Sequence, residues 1–149
     1  MHNDAQGCVY FALREWTRAA PDRGRVALPL DVRLDERNVY EPDVVWYRHG
    51  RAPARQAAPP YPTPDIAVEV RSPSTWRHDI GFKKSNYERH GVAELWLVDT
   101  AADAVLVFRR SAPAGPQFDV RAELSAGETL ASPLLPGFAL AVGEIFAAD

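Results

Sequence analysis

Cysteine is almost missing from this chain of 149 residues. Cys8 stands alone, so no intrachain disulfide can form and a cysteine-based zinc site is excluded. Lysine is nearly as scarce: of 17 basic residues all are arginine except the adjacent Lys83 and Lys84. No apolar run approaches the roughly 18 residues of a membrane span. The N-terminal stretch MHNDAQG has neither the positive charge nor the apolar segment of a signal peptide. Membrane insertion and secretion are therefore not expected, and the cytoplasm is the expected compartment. A basic excess is absent too, since the net charge is −3, which argues against bulk electrostatic coating of nucleic acid.

What is present suits one ordinary domain spanning 1–149. With 46% hydrophobic and 25% charged residues, a chain of this length buries about two-thirds of its unfolded surface. The charge is unevenly spread. Residues 1–91 hold 14 basic and 12 acidic side chains, whereas 92–149 hold 3 and 8. Within the first part, 44–91 carries a net +4, so a polyanion would be met there.

The patterning gives an order of elements. Val9, Leu13 and Trp16 recur at helical spacing after Asp4 and before Pro21, which predicts a helix over 5–20. Val26 to Leu34 alternate apolar with polar, which predicts one half-buried strand, placed at an edge by Pro29. The turn DERN and a second strand, VYEPDVVWY, complete a hairpin. Residues 48–64, with five prolines and almost no bulky apolar side chain, read as a long surface loop. DIAVEVR is a buried strand, SPST a capping turn, and 77–90 a helix stopped by Gly91. AELWLVD and AVLVFRR are strands, and QFDVRAEL, ETLASPLLPGFAL and EIF suggest short strands broken by Gly and Pro. This is an α/β (α+β) order, helix-strand-strand-strand-helix-strand, with a mixed central sheet and extra C-terminal β-strands.

Two carboxylates break the apolar patterning, Asp43 in EPDVVWY and Glu69 in IAVEV. A buried acid must be paired, protonated or bound to a cation. Mg²⁺ suits such a pair, because it takes one or two carboxylates with waters and phosphate oxygens. The competing structural reading has Arg71 or Arg33 neutralising Glu69. Asp65 lies four residues before Glu69 and hence on the same strand face. Asp79, Lys83 and Tyr87 share a helix face at i+4 spacing. There Asp79 and Lys83 make an ordinary surface pair, or Lys83 serves the site, since a lysine pKa shifts with burial whereas arginine stays charged. The histidines His2, His49, His78 and His90 lack a ligand-pair spacing and read as surface residues. Trp46, Trp76 and Trp96 read as core and turn anchors, with base stacking the alternative for Trp76. Asp99 reads as a strand-end turn acid.

Taken in order, PDVVWY, PDIAVEVRSPST, Asp79 with Lys83 and Tyr87, GVAELWLVD and the tail LSAGETLASPLLPGFALAVGEIF resemble the Uma-two family of restriction-type endonucleases, a branch of the PD-(D/E)XK superfamily, from about His2 to Phe146. The resemblance implies a restriction-endonuclease-like core and Mg²⁺-dependent hydrolysis of phosphodiester bonds in DNA, with Mn²⁺ as a substitute. It assigns Asp43, Glu69 and the Val70 carbonyl to the metal, with Asp65 a candidate for a second ion held through water. Arg71 fills the superfamily's usual lysine position, and Lys83 takes the lysine's part from the following helix. Arg71, Arg77 and Lys84 are then candidate nucleic-acid contacts, Tyr87 packs the helix on the sheet with a phosphate contact as the alternative, and His2 resembles a histidine common at the start of the family's first helix. The family's usual strand pair ahead of the first helix has no counterpart here. That implies a start assigned too late, or a shortened member kept as a non-catalytic module binding nucleic acid or protein. It also implies an open sheet edge suited to a homodimer. Glu15, the one acid of the first helix that could be weighed for the site, reads as a solvated charge.

Overall fold

A computed structural model describes residues 2–147 except 72–75, and for 76–79 the backbone alone. The expected SPST turn and the side chains of Trp76, Arg77, His78 and Asp79 therefore lie outside the described residues. In chain order the elements are α1 (His2–Arg18), β1 (Arg25–Ala27), β2 (Val32–Arg33), β3 (Val39–Tyr40), β4 (Val44–Tyr47), β5 (Ile66–Val70), α2 (Trp76–Arg89), β6 (Glu94–Asp99), β7 (Ala104–Arg109), β8 (Val120–Ser125), β9 (Thr129–Leu130), β10 (Leu140–Ala141) and α3 (Val142–Ile145). No described helix is long and apolar enough to cross a membrane.

Six strands form one mixed sheet in the order β1-β4-β5-β6-β7-β8. Among the described strands of this sheet only β5 and β6 run parallel, because α2 carries the chain between them, as a parallel pair requires. Period-2 alternation sorts side chains to the two faces. On one face Val44, Trp46, Val68, Val70, Trp96 and Val98 meet Val9, Leu13 and Trp16 of α1 and the C-terminal segment Leu130 to Ile145. On the other, Ala67, Leu95, Leu97 and Phe108 meet Tyr87 of α2. Trp46 and Trp96 are core residues as expected, their indole N–H groups donating to the Arg23 carbonyl at 2.9 Å and to Glu94 Oε1 at 3.1 Å.

The expected hairpin is there, but its arms are split. Pro29 cannot donate to a ladder, and the strand read as continuous from Val26 to Leu34 divides into β1, which pairs β4 in the main sheet, and β2, which pairs β3 in a separate ribbon. Pro42 breaks the return arm in the same way, between β3 and β4. This break places Asp43 immediately before a fully buried strand. The Asp35 carboxylate closes the ribbon by accepting the Arg37 and Asn38 N–H groups, which hold its pKa down at about 2. The EIF segment, expected as a strand, lies largely in α3: Val142 and Ile145 are both buried three residues apart, which is a helical spacing.

Gly24 turns the chain into β1 with φ +74°, and a Cβ there would lie 2.0 Å from the Tyr47 carbonyl oxygen. Both the backbone conformation and the contact exclude a side chain. Gly24→Ala is therefore expected to destabilise the protein by more than about 2 kcal/mol and to lower its Tm by at least about 5 °C, measured by calorimetry.

Candidate active site

The chain breaks at Pro42 and after Val70 bring two acids to one end of the sheet. Val44 pairs with Val68, so Asp43, one residue back, lies beside Glu69, one residue on. The backbone locks the arrangement: Asp43 N–H donates to the Val68 carbonyl at 2.9 Å, and Val70 N–H donates to Asp43 Oδ2 at 2.7 Å. Asp43 is thus held through both its main chain and its Oδ2. From the other side α1 reaches it with two residues one turn apart. Gln6 Nε2 donates to the Asp43 carbonyl at 2.9 Å, and His2 Nε2 lies 3.4 Å from Asp43 Oδ1.

Glu69 is 5% exposed. The Tyr87 hydroxyl donates to its Oε1 at 2.8 Å, and Lys83 Nζ lies 3.4 Å from its Oε2. The helix face expected to carry Lys83 and Tyr87 therefore meets the acid expected to need a cation. Burial pushes the Glu69 carboxyl up from 4.5 to about 7, against the opposing pull of Lys83 and the Tyr87 hydroxyl, while neighbouring Asp43 pushes it further. Burial and the Glu69 charge together hold the Tyr87 phenol well above its ordinary range, so it remains a donor. Tyr40 of the β2-β3 ribbon closes the cluster: its ring packs edge-on against Tyr87 at 5.6 Å and its hydroxyl accepts from Asn86 at 2.7 Å. Lys83 Nζ sits 5.8 Å from the centre of the Tyr40 ring, a distance at which its charge still feels the ring face.

Other expected residues are engaged elsewhere. Asp65 precedes β5, so it lies at the opposite end of the strand from Glu69, about 13 Å along it. There its carboxylate pairs with Arg51 at 2.6 Å and accepts the Arg48 N–H at 2.7 Å, so its charge is met by the surface loop. Arg71 is tied to Asp99 at 2.9 Å. Asp99 also caps the following turn through the Ala101 and Ala102 N–H groups, as a strand-end acid should. Lys84 points its ammonium at the Phe108 ring, 4.9 Å from the centroid. The side chains of Arg77 and Asp79 lie outside the described residues.

His2, Gln6 and Tyr40 belong to the cluster: the sequence singles out neither Gln6 nor Tyr40, and His2, despite its likeness to a histidine of the family's first helix, reads there as a surface residue. His2 and Gln6 at i and i+4 offered a faint signal, a polar pair on the first turns of an otherwise apolar helix face. Glu94 was overlooked as well, although it stands in an apolar strand just as Glu69 does. It is fully buried on the opposite face of the sheet, where Ser132 and Trp96 donate to it and Arg109 Nε lies 3.5 Å away. These partners satisfy it locally, apart from the Asp43–Glu69 pair.

Most of the chain matches a known family: the model of the family described as "Putative restriction endonuclease" (Uma2) covers residues 1–143. The chain belongs to the Uma2 family. No curated protein matches it. The crystal structure of a "putative nuclease belonging to DUF820" from Anabaena variabilis superposes with a TM-score of 0.75 at 16% identity, covering 97% of this chain and 79% of that one. At that identity the likeness shows the fold, an α+β nuclease fold with a mixed central sheet. In this Uma2 chain the carboxylate pair passes a simple test of fitness for a divalent ion. Burial, and then the neighbouring Asp43, raise the cost of ionising Glu69, a cost that a cation would relieve. Among the described residues no three His, Cys, Asp or Glu side chains converge on one point. Asp43 and Glu69 would offer an ion hard carboxylate oxygens, which suit Mg²⁺ or Mn²⁺ better than zinc.

Proposed function

We propose that this Uma2-family protein is a Mg²⁺-dependent endonuclease that hydrolyses phosphodiester bonds in DNA, with Asp43, Glu69 and Lys83 as its catalytic residues. The observation that carries the reading is the buried Glu69, held between the Tyr87 hydroxyl and the Lys83 ammonium and set beside Asp43. Asp43, Glu69 and the Val70 carbonyl would hold the ion, and Mn²⁺ would substitute. The chemistry a divalent cation supplies in such a place is polarisation of the scissile phosphate and a lower pKa for a water beside it.

The protein's own groups do the rest. Val70 N–H fixes one oxygen of Asp43 and leaves the other for the ion. Tyr87 fixes one oxygen of Glu69 from beneath. Lys83, with its side chain 29% exposed, reaches from the acid toward solvent. There it orients the attacking water and meets the charge that develops on the phosphoryl oxygens. Arg71, the residue after β5, and Lys84 on α2 are proposed to exchange their contacts with Asp99 and the Phe108 ring for phosphates of the substrate, together with Arg77. A second copy is part of the proposal, because a duplex has two strands to cut and the three-residue β1 is a free edge of the six-stranded sheet.

Supercoiled plasmid incubated with the protein and Mg²⁺ or Mn²⁺ is expected to be nicked and linearised, and a chelator is expected to abolish the reaction. Lys83→Ala is expected to slow it about 10²-fold, and Lys83→Arg to restore little, since a guanidinium is broader and differently hydrated. Absence of cleavage with any divalent ion, on plasmid or single strands, would remove the enzymatic reading.

A further inference from the structure

We infer that His2 supplies an imidazole donor to the divalent ion of the proposed site, sharing that ion with Asp43 and biasing the site toward Mn²⁺ over Mg²⁺. The inference rests on the metal-dependent reading above and adds to it a ligand of a different chemical kind.

Three observations support it. First, α1 is fixed against this acid: the Gln6 amide, one turn beyond His2, bonds the Asp43 carbonyl at 2.9 Å, so the helix face bearing both residues is held at Asp43. Second, the two oxygens of Asp43 are differentiated. Oδ2 is taken by Val70 N–H, and Oδ1 is the one His2 faces. Third, the separation of His2 Nε2 and Asp43 Oδ1, 3.4 Å, is longer than a well-formed N–H···O bond, about 2.7–3.2 Å. It does match two donors bound to one ion: at about 2.1 Å each, donors subtending 90–110° stand roughly 3.0–3.4 Å apart.

The remaining groups agree with this division. Glu69 accepts the Tyr87 hydroxyl at Oε1 and faces Lys83 at Oε2, and beside Asp43 it stays the second carboxylate of the proposed set. His49 and His90 face Asp22 and Asp35 instead, at 3.2 and 3.0 Å. The His2 side chain is 37% exposed, so water and ions reach it. Neutral imidazole suits Mn²⁺ and later transition ions, whereas Mg²⁺ prefers oxygen.

The test is pulsed electron paramagnetic resonance of the full chain loaded with Mn²⁺, together with Mn²⁺ and Mg²⁺ titrations. The bound Mn²⁺ of the wild type is expected to show ¹⁴N modulation from a coordinated imidazole, lost in His2→Ala and kept in His49→Ala. The Mn²⁺ Kd of His2→Ala is expected to rise about tenfold or more, with the Mg²⁺ Kd changing less than about threefold. The metal-free variant is expected to melt with the wild type, since His2 is outside the core. Mn²⁺ bound without ¹⁴N modulation, or bound equally well by His2→Ala, would overturn this inference and leave the nuclease reading standing. Mn²⁺ bound no better by wild type than by Asp43→Ala would overturn both.

Discussion

Asp43→Asn is expected to lower kcat/KM for DNA cleavage by at least about 10³-fold, equivalent to about 4 kcal/mol of transition-state stabilisation, with little change in melting temperature. The two effects separate because Asp43 has two roles. Its structural role is to accept Val70 N–H at 2.7 Å, and an asparagine carbonyl can accept the same bond. Its proposed chemical role needs the negative charge on the other oxygen, which asparagine lacks. Activity within tenfold of wild type, in a variant that still melts normally, would remove Asp43 from the machinery.

The second large effect concerns stability and pH. Glu69 titrates at about 7 in the folded protein, against 4.5 ordinarily, chiefly because it is buried. A raised carboxyl pKa means that the native state holds a proton that the unfolded chain has already lost. Between about pH 4.5 and 7 the native state therefore binds more protons, and stability falls as pH rises. At about 1.4 kcal/mol for each pH unit, the cost of carrying this group ionised approaches about 3 kcal/mol above pH 7. In chelator, Glu69→Gln is expected to remove that slope and to be the more stable protein at pH 8, with the difference shrinking toward pH 5. Denaturant unfolding at a series of pH values measures it. Parallel curves for wild type and variant would show that Glu69 is not the strained group. Saturating Mg²⁺ or Mn²⁺ is expected to recover stability at pH 8 in the wild type more than in Glu69→Gln, because the ion compensates the charge that burial penalises.

How much of this was legible in the sequence depended on whether the signal was local. Glu69 stood out because a carboxylate among Ile66, Ala67, Val68 and Val70 contradicts its own strand, and Lys83 with Tyr87 stood out because i+4 spacing is a statement about a helix face. The structure places all three in one cluster. Period-2 alternation, in contrast, says which face a residue takes and not which sheet it joins. It ran unbroken through Pro29, and one expected strand became β1 and β2 in two different sheets. Asp65 falls one residue before β5, and its partner Arg51 comes from a loop that carries no periodic pattern. His2 and Gln6 reach Asp43 across about forty residues of chain, through the packing of α1 on β4, and no local rule reports such a contact. The element that closes the fold, α3, was misread because Val142 and Ile145 form too short a run for a period of 3.6 to be distinguished from a strand.

The most direct test of the central claim is anomalous scattering from a crystal soaked in Mn²⁺. The account predicts one strong peak per chain, within coordination distance of both Asp43 and Glu69, completed by water. A structure at saturating Mn²⁺ with no peak there, or with the ion bound at another site while Glu69 still rests on Tyr87 and Lys83, would contradict it.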